Sequence, residues 1–302
     1  MPAKTAKSRA KSPTSAIDKY QWLTDKFVAL LESGVDPWQR EWRVTGAGCI
    51  MNFVTKQSYR GKNPYILQID SLVRGAEPYY CGRTQGMEKG WTIKKGAKAA
   101  YICYGSAYVK EDSDGNEQTI PFVKWYPVFN VEDWDDSQSN HKIADLMPEA
   151  LPPINQDERL AQVDAFIKAT GATIKTHGSQ PCYSPILDTV TMPQWEDFTD
   201  AGAYYATLLH ELTHWTGHKT RCDRDQSGRF GTPSYAQEEL IAEMGAAFLC
   251  ADMGIASNIE NHASYLEGWL RGAKQDKMYL YRSMGKAQQA VQFIQSLATV
   301  TA

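Results

Sequence analysis

The sequence predicts an α+β protein of two domains, the first mixing helices and strands and the second mainly helical with a small sheet. Its length of 302 residues suits about two domains of 100 to 200 residues each. Up to Trp134, short β-branched and aromatic runs alternate with turn residues, a pattern typical of strands. From Ala203 onward, apolar residues recur at helical spacing, which predicts helices.

Domain boundaries follow from changes in composition. Residues 1–15 are basic and carry almost no large apolar side chain, so we expect a disordered tail. Residues 136–155 are polar, acidic and contain prolines, which is typical of an interdomain linker. Residues 16–135 and 156–302 are therefore predicted to form the two domains.

Individual elements can be assigned in order along the chain. Apolar residues at helical spacing predict a helix over residues 17–33. Residues 99–110 and 119–130 are strand-like runs on either side of the turn-rich EDSDGNEQ, and they predict a β-hairpin. In the second domain the pattern predicts a helix that ends at Gly171 and a short strand over residues 188–193.

Composition narrows the class of protein. Hydrophobic residues make up 42% and charged residues 22%, as in ordinary soluble globular proteins. The six cysteines include no CxxC pair, so we expect free thiols rather than a zinc ribbon or a redox motif. No stretch approaches the roughly 18 consecutive apolar residues of a membrane helix, and the N-terminus lacks a signal-peptide core. The sequence therefore predicts a cytoplasmic protein without a membrane partner.

Charge and aromatic residues are distributed unevenly. Residues 1–110 carry 18 Lys and Arg against 8 Asp and Glu, whereas residues 111–302 carry 14 against 27. Six of the nine tryptophans precede residue 136. Because aromatic side chains stack on unpaired bases while cations follow phosphates, the first domain is predicted to bind single-stranded DNA without sequence preference. The alternative is a set of core aromatics with a solvated basic face. The candidate contacts are Arg40, Arg43, Tyr59, Arg60, Lys62, Lys94, Lys95 and Lys98.

The second domain contains an HExxH motif, with His210, Glu211 and His214 in a stretch of helical periodicity. Four residues are about one helical turn, so both imidazoles lie on one face and can ligate one metal ion. Glu211 can then reach a metal-bound water as a general base. The spacing favours a zinc-dependent hydrolytic site over two exposed helix histidines.

A catalytic zinc ion commonly has three protein ligands and a water, and the next predicted helix offers carboxylates. Ser234 and Gln237 resemble a capping box at its start. Glu239 and Glu243 share a face at i, i+4 spacing, whereas Glu238 points elsewhere. One of the two can bind the cation while the other orients a ligand histidine. The residues alone leave this choice open, along with an ordinary acidic face.

Three further side chains have the chemistry to take part in such a site. Tyr235 and His262 are candidate donors to a transition state, with a purely structural role as the alternative. His218 lies four residues beyond His214, but Gly217 is expected to end the helix before it. His218 is therefore predicted to lie at the surface.

A family resemblance is carried by ordered blocks along the chain. In the second domain these are YSPILDTVTMP at 183–193, AYYATLLHELTHWTGH at 203–218, RFGTPSYAQEELIAEMGAAFLC at 229–250 and NHASYLEGWLRGAKQDK at 261–277. They are similar to the zincin-like metallopeptidase domain of the ArdC family of plasmid antirestriction proteins. The blocks DPW at 36–38, SYRGKN at 58–63 and GWTIKKGAKAAYICY at 90–104 resemble the single-stranded-DNA-binding domain that this family shares with the plasmid primase TraC.

The resemblance implies a protein that binds single strands and protects incoming plasmid DNA from host restriction during conjugation. Similarity to zincins with a glutamate ligand implies Glu239 as the third ligand and Glu243 as the orienting residue, with the reversed assignment as the alternative. By the same resemblance, residues 188–193 are implied to be the edge strand beside the HExxH helix, where an extended substrate adds to the sheet. Pro64 stands where the family pattern leads us to expect an apolar residue.

Three functions follow as hypotheses. The first is an antirestriction protein with a peptidase site that uses Zn²⁺, Mn²⁺ or another divalent ion, for which a restriction enzyme is a candidate protein substrate. The second is a single-stranded-DNA-binding shield whose metal site is structural or regulatory. The third is an accessory domain of replication, suggested by the resemblance to TraC.

Overall fold

The computed structural model describes residues 17–35, 37–38, 50–111, 117–148, 156–255 and 263–299. Within these ranges it shows the predicted α+β architecture, with most strands in the first half and most helices in the second. The predicted tail, residues 1–15, lies outside the described residues.

The first half is built on a five-stranded sheet with the order β2-β1-β3-β6-β5. The long strands β5 and β6 are antiparallel neighbours, which confirms the predicted hairpin. The predicted first helix is also present, and the Asp18 carboxylate caps it by accepting from the N–H of Tyr20 at 3.0 Å. The elements are α1 (Lys19–Glu32), β1 (Met51–Asn52), β2 (Gln57–Ser58), α2 (Asn63–Arg74), β3 (Tyr79–Gly82), α3 (Arg83–Glu88), β4 (Thr92–Ile93), β5 (Ala100–Glu111), β6 (Glu117–Asn130) and β7 (Trp134–Asp135).

Pro64 lies in a helix rather than a strand. It occupies the first turn of α2, where its missing N–H costs nothing because the first helical N–H groups have no partner within the helix.

The second half combines five helices with a three-stranded sheet of order β8-β10-β9. The expectation that residues 188–193 form the edge strand is wrong, because β10 is the central strand, parallel to β8 and antiparallel to β9. The outer strands are β8 and β9, and β9 is too short to be recognised from its pattern. The elements are α4 (Gln156–Ala169), β8 (Thr173–Thr176), β9 (Cys182–Ser184), β10 (Thr189–Met192), α5 (Ala201–Trp215), α6 (Pro233–Met253), α7 (Ala263–Gln275) and α8 (Tyr279–Thr299).

The two halves share a hydrophobic core. Phe27 of α1 and Ile66 of α2 belong to the same buried cluster as Leu240 of α6 and Trp269 of α7. A polar contact crosses the same boundary, since the Thr24 hydroxyl donates to the carbonyl of Lys277 at 2.9 Å. Because buried apolar area stabilises by about 25 cal/mol per Å², this common core ties α1 and α2 to the helices of the second half.

Part of the predicted linker is packed against the first half. The buried Trp91 indole donates to the carbonyl of His141 at 2.6 Å, and the Ser139 hydroxyl donates to the carbonyl of Lys89. Ile143 and Met147 are half-buried against the core that contains Trp91. Residues 136–148 therefore form hydrogen bonds with the first half and cover part of its core, which their polar composition did not indicate. Residues 149–155 lie outside the described part of the chain.

No helix in the described ranges is long and apolar enough to span a bilayer.

Candidate metal-binding site

Helix α5 presents the two histidines of the HExxH motif. The Asp200 carboxylate caps its first turn by accepting from the N–H of Ala203 at 2.9 Å. His210 and His214 follow on one face, and their ring centroids lie 4.8 Å apart. The helix ends at Trp215, as predicted, and the His218 ring is within 2.8 Å of the Thr220 hydroxyl, away from the pair.

Helix α6 brings the carboxylates. It begins two residues earlier than expected, because Thr232 accepts from the N–H of Tyr235 and Pro233 occupies the first turn. The predicted capping box of Ser234 and Gln237 is therefore wrong. Gln237 instead donates to the Ser283 hydroxyl of α8 at 3.3 Å.

Helices α5 and α6 approach each other closely at a glycine. A Cβ at Gly245 would lie 2.5 Å from Cγ2 of Thr213, so any larger residue forces the helices apart. Thr213 and Gly245 are both buried. This contact sets the separation between the histidines of α5 and the carboxylates of α6.

Three donor atoms converge between the helices. The Nε2 atoms of His210 and His214 are 3.1 Å apart, and the Glu239 carboxylate oxygens lie 3.4 Å from the first and 3.6 Å from the second. Ligand atoms held 2.0–2.2 Å from one ion at tetrahedral angles are separated by roughly 3.3–3.6 Å. The set therefore has the donor chemistry and the dimensions of a divalent-metal site, and it is the one such group found among the described residues.

The other nitrogen of each histidine faces a second carboxylate. His210 Nδ1 lies 3.3 Å from Glu243, and His214 Nδ1 lies 3.2 Å from Glu238. A carboxylate at this position fixes the orientation and tautomer of a ligand imidazole. Glu239 and Glu243 thus lie where the resemblance to zincins with a glutamate ligand implied. The expectation that Glu238 points elsewhere is wrong, because it faces His214.

Glu238 is itself held by a buried network. The Arg224 guanidinium donates to both of its oxygens, through Nη2 at 2.7 Å and Nε at 3.0 Å. Gln226 donates to Glu238 at 3.1 Å and to the His214 carbonyl at 2.7 Å. Arg224 also donates to the carbonyl of Thr213 at 2.7 Å. Arg224 and Gln226 lie in the loop between α5 and α6, where no periodic pattern marks them.

The electrostatics match a site prepared for a cation. Burial lowers the pKa of His214, but its hydrogen bonds to Glu238 and Glu239 outweigh burial and raise the pKa to about 9. The pKa of His210 is likewise raised, because Glu243 and Glu239 outweigh the effect of burial. For Glu239 burial acts to raise the pKa, yet the two histidines hold it well below its ordinary value. Without a metal ion, protons on the imidazoles neutralise the carboxylates.

The donors open into a cleft of about 770 Å³. Glu211 lines this cleft beside His210 and His214, and β9 forms part of its wall through Cys182 and Tyr183. Solvent and an extended ligand can therefore reach the donors from one side.

Two tyrosines also line the cleft. Tyr235, a predicted donor, lies with its hydroxyl 3.2 Å from that of Tyr265, and both line the cleft. Burial and the contact with Tyr265 raise the pKa of Tyr235, which keeps its hydroxyl protonated and able to donate. Tyr265 was not predicted, because no spacing links α7 to the motif. His262 lies outside the described residues.

The predicted DNA contacts have different surroundings. Arg60, Lys94, Lys95 and Lys98 are exposed. Tyr59 is only 8% exposed and its hydroxyl donates to the carbonyl of Tyr80, so the expectation that its ring meets DNA is wrong. Arg40 and Arg43 lie outside the described residues.

Lys62 is half-buried rather than free at the surface. Its ammonium lies 4.0 Å from the centroid of the Tyr281 ring on α8, and burial lowers its pKa. A cation over an aromatic face is already stabilised within the protein, so Lys62 is a weaker candidate for phosphate contact than its exposed neighbours.

The tryptophans of the first half that the structure describes serve packing. Trp38, Trp91 and Trp134 are buried, and Trp22 and Trp125 are half-buried. Of the two explanations for the aromatic enrichment, the core explanation applies to these five side chains.

The fold and the convergent donors define a class of protein: a helix-and-strand domain followed by a zincin-like domain whose HExxH helix faces a glutamate-bearing helix. Family models agree with this division. Residues 17–129 match the N-terminal domain of anti-restriction factor ArdC, and residues 161–286 match the zincin-like metallopeptidase.

Solved structures and relatives extend the match to more than nine tenths of the chain. The metal-free crystal structure of antirestriction protein ArdC from plasmid R388 is 34% identical with a TM-score of 0.74, and the alignment covers 94% of this chain and 99% of that one. The Mn(II)-bound structure of the same protein is 33% identical with a TM-score of 0.71, covering 93% and 98%. This chain belongs to the ArdC antirestriction family.

Of two further relatives, one is aligned over most of its own length and the other over about a quarter of it. The uncharacterised protein y4eC of Sinorhizobium fredii is 31% identical over 295 residues, 92% of each chain. A DNA primase TraC of Escherichia coli is 29% identical over 303 residues, which is 91% of this chain but 27% of the primase. The zincin-like domain and the Mn(II)-bound relative point to a divalent metal.

Proposed function

We propose that this protein binds single-stranded DNA without sequence preference, that it protects incoming plasmid DNA during conjugation, and that its second half acts in this protection as a zinc-dependent peptidase. The observation that carries the proposal is the convergence of His210, His214 and Glu239 beside Glu211 in an open cleft. Two imidazoles and one carboxylate are the protein ligands of several catalytic zinc sites.

The residues of the cleft can divide the work of peptide hydrolysis. His210, His214 and Glu239 would hold the zinc ion, which would supply Lewis acidity and lower the pKa of water. Glu211, on the same helix turn as His210, accepts the proton of the attacking water and delivers it to the amide nitrogen as the C–N bond breaks. Tyr235, which lines the same cleft, donates to the oxygen on which negative charge develops. Glu243 and Glu238 keep the two imidazoles in one orientation throughout.

The substrate is proposed to be an extended segment of a host protein, with a restriction enzyme as the first candidate. Support comes from β9, an outer strand of the small sheet, whose residues line the cleft. An unpaired strand edge offers backbone hydrogen bonds to an added peptide strand.

Single-strand binding is proposed for the first half. It is supported by the exposed cations Arg60, Lys94, Lys95 and Lys98, since neutralisation of phosphates dominates affinity for nucleic acids. Removing charge from Arg60, Lys94 and Lys95 is therefore expected to weaken binding to every single-stranded sequence alike and to reduce its salt dependence.

The decisive experiment is an antirestriction assay in cells. It compares the wild type, Glu211→Ala and a variant with Arg60, Lys94 and Lys95 all changed to Gln, with folding and metal content measured for each. We expect Glu211→Ala to keep its metal and lose protection, and the charge variant to lose DNA binding. Full protection by a metal-loaded Glu211→Ala protein contradicts the peptidase mechanism and leaves strand occupancy as the mode of protection.

Metal identity is tested on the same preparations. The proposal predicts about one zinc ion per wild-type chain and loss of the ion in His214→Ala. Zinc content is measured by elemental mass spectrometry. Manganese in place of zinc in protein isolated from its natural host contradicts the zinc assignment while leaving the site intact.

A further inference from the structure

The outer part of the β5–β6 hairpin carries an unusual group of exposed side chains. The register pairs Tyr104 with Lys124 and Tyr108 with Ile120, so even-numbered residues of both strands share one face. Tyr104 and Tyr108 are 52% and 51% exposed, and Tyr126 is 45% exposed. We call this the aromatic face; its members are Tyr104, Tyr108, Phe122, Lys124 and Tyr126.

The aromatic rings on this face form two pairs. The centroids of Tyr104 and Tyr126 are 5.8 Å apart, as are those of Tyr108 and Phe122. Four strand residues separate the pairs, a distance of about 13 Å at 3.3 Å per residue. Exposing several large rings together is unfavourable in water, and at this spacing the hairpin presents two stacking platforms along its length.

Charge is segregated between the two faces. Lys124 and Lys110 are exposed even-numbered residues of the described strands, and the ammonium of Lys124 lies 5.5 Å from the centroid of Phe122. The acidic residue Glu117 is odd-numbered and therefore lies on the opposite face. The aromatic face thus combines rings with cations, and no even-numbered position of β5 or β6 is an Asp or a Glu.

We propose that the aromatic face binds single-stranded DNA, with unpaired bases stacked on the two ring pairs and the phosphates beside Lys124. This inference rests on the proposed single-strand binding and assigns it a surface. Stacking on aromatic rings requires bases that are not already stacked in a duplex. A ribbon that reads duplex DNA instead inserts hydrogen-bonding side chains into a groove, whereas here tyrosine, phenylalanine and isoleucine occupy the face.

The experiment measures affinity for a labelled oligo(dT) of about 16 nucleotides, a length within the usual site size of such domains. The variants are Tyr108→Ala/Phe122→Ala and, as a matched control, Val109→Ala. Val109 is 59% exposed on the same strand but on the opposite face. Because stacking contributes about 1–3 kcal/mol per base, the double variant is expected to raise Kd roughly 5- to 100-fold, with an unchanged salt slope, and Val109→Ala to leave it unaltered.

An abasic oligonucleotide separates stacking from charge. It is expected to bind the wild type more weakly than oligo(dT) does. The difference in Kd between the two oligonucleotides is expected to be smaller for the double variant, which keeps only the Tyr104–Tyr126 pair. Lys124→Gln is expected to lower the slope of log Kd against log salt by about 0.7. The affinities are compared at a temperature at which thermal unfolding shows each variant to be folded, because Tyr108 is exposed whereas Phe122 is half-buried.

The outcomes distinguish this inference from the function on which it rests. A wild-type protein that binds no single-stranded DNA overturns both. Wild-type binding that is matched by Tyr108→Ala/Phe122→Ala overturns only the assignment of the face. Equal or tighter binding of duplex DNA that depends on the same residues overturns the stacking proposal. A change of oligomeric state in sedimentation, with unchanged DNA affinity, shows that the face joins copies of the chain instead.

Discussion

Replacing Gly245 with alanine tests whether the contact between α5 and α6 sets the metal geometry. The new Cβ would lie 2.5 Å from Cγ2 of Thr213, whereas carbon atoms in contact are about 3.5–4.0 Å apart. The helices must therefore separate by roughly 1 Å. Overpacking of this kind costs about 1–3 kcal/mol, and the higher helix propensity of alanine returns about 1 kcal/mol. We expect a net loss of about 0–2 kcal/mol in the free energy of unfolding.

Metal affinity is the more sensitive readout of Gly245→Ala, because ligand distances must stay within about 0.2 Å of their proper values. We expect the zinc Kd to rise at least about tenfold in competition titrations against a chromogenic chelator. Thr213→Ala removes both close atoms and leaves the Thr213 Cβ position 3.2 Å away. The double variant should therefore recover most of the affinity, while Thr213→Ala alone loses a hydrogen bond to the Leu209 carbonyl. Wild-type affinity in Gly245→Ala, or no recovery in the double variant, refutes the reasoning.

Three other predictions concern the same domain. Glu238→Gln should weaken metal binding about 10- to 100-fold, because an amide holds the His214 ring and the buried Arg224 less firmly; an unchanged Kd in the chelator titration contradicts this. The pKa of His214 is about 9 in the folded metal-free chain, against 6.5 ordinarily. Protonated His214 therefore stabilises the metal-free protein fully below pH 6.5, and this stabilisation is lost as the pH rises through 9. Apparent metal affinity should therefore increase across that range with release of about one proton, measured by calorimetry in buffers of different ionisation enthalpy; a pH-independent affinity is the opposing result. Burial raises the pKa of Cys250 to about 12, so iodoacetamide at about pH 8 should leave it unmodified while the exposed Cys182 reacts, and equal modification in peptide mass spectra contradicts the burial argument.

The sequence by itself determined the features that depend on neighbours along the chain. The spacing of His210 and His214 places both rings on one helix face in any fold, because the period of a helix is 3.6 residues. Alternating strand-like runs around a turn likewise determine the β5–β6 hairpin. Glycine at the end of a helical pattern correctly limited α5 and separated His218 from the histidine pair.

Tertiary structure alone decided which partners those faces meet. Glu238, Glu239 and Glu243 lie on one helix, and their spacing could not show that Glu238 meets His214 Nδ1 while Glu239 meets both Nε2 atoms. Arg224 reaches Glu238 from a loop, and Tyr265 reaches the cleft from another helix. Such contacts depend on how far apart α5 and α6 pack, which a single small residue sets.

Burial of the aromatic residues was decided in the same way. Tyr59 and Trp91 have basic neighbours in the sequence, as residues of a nucleic-acid-binding surface do, yet both are buried. Tyr104 and Tyr108 are instead exposed on the hairpin. A tyrosine has the same local propensity in either place. What separates them is whether another element of the fold covers the strand face, and that depends on packing between residues far apart in the chain.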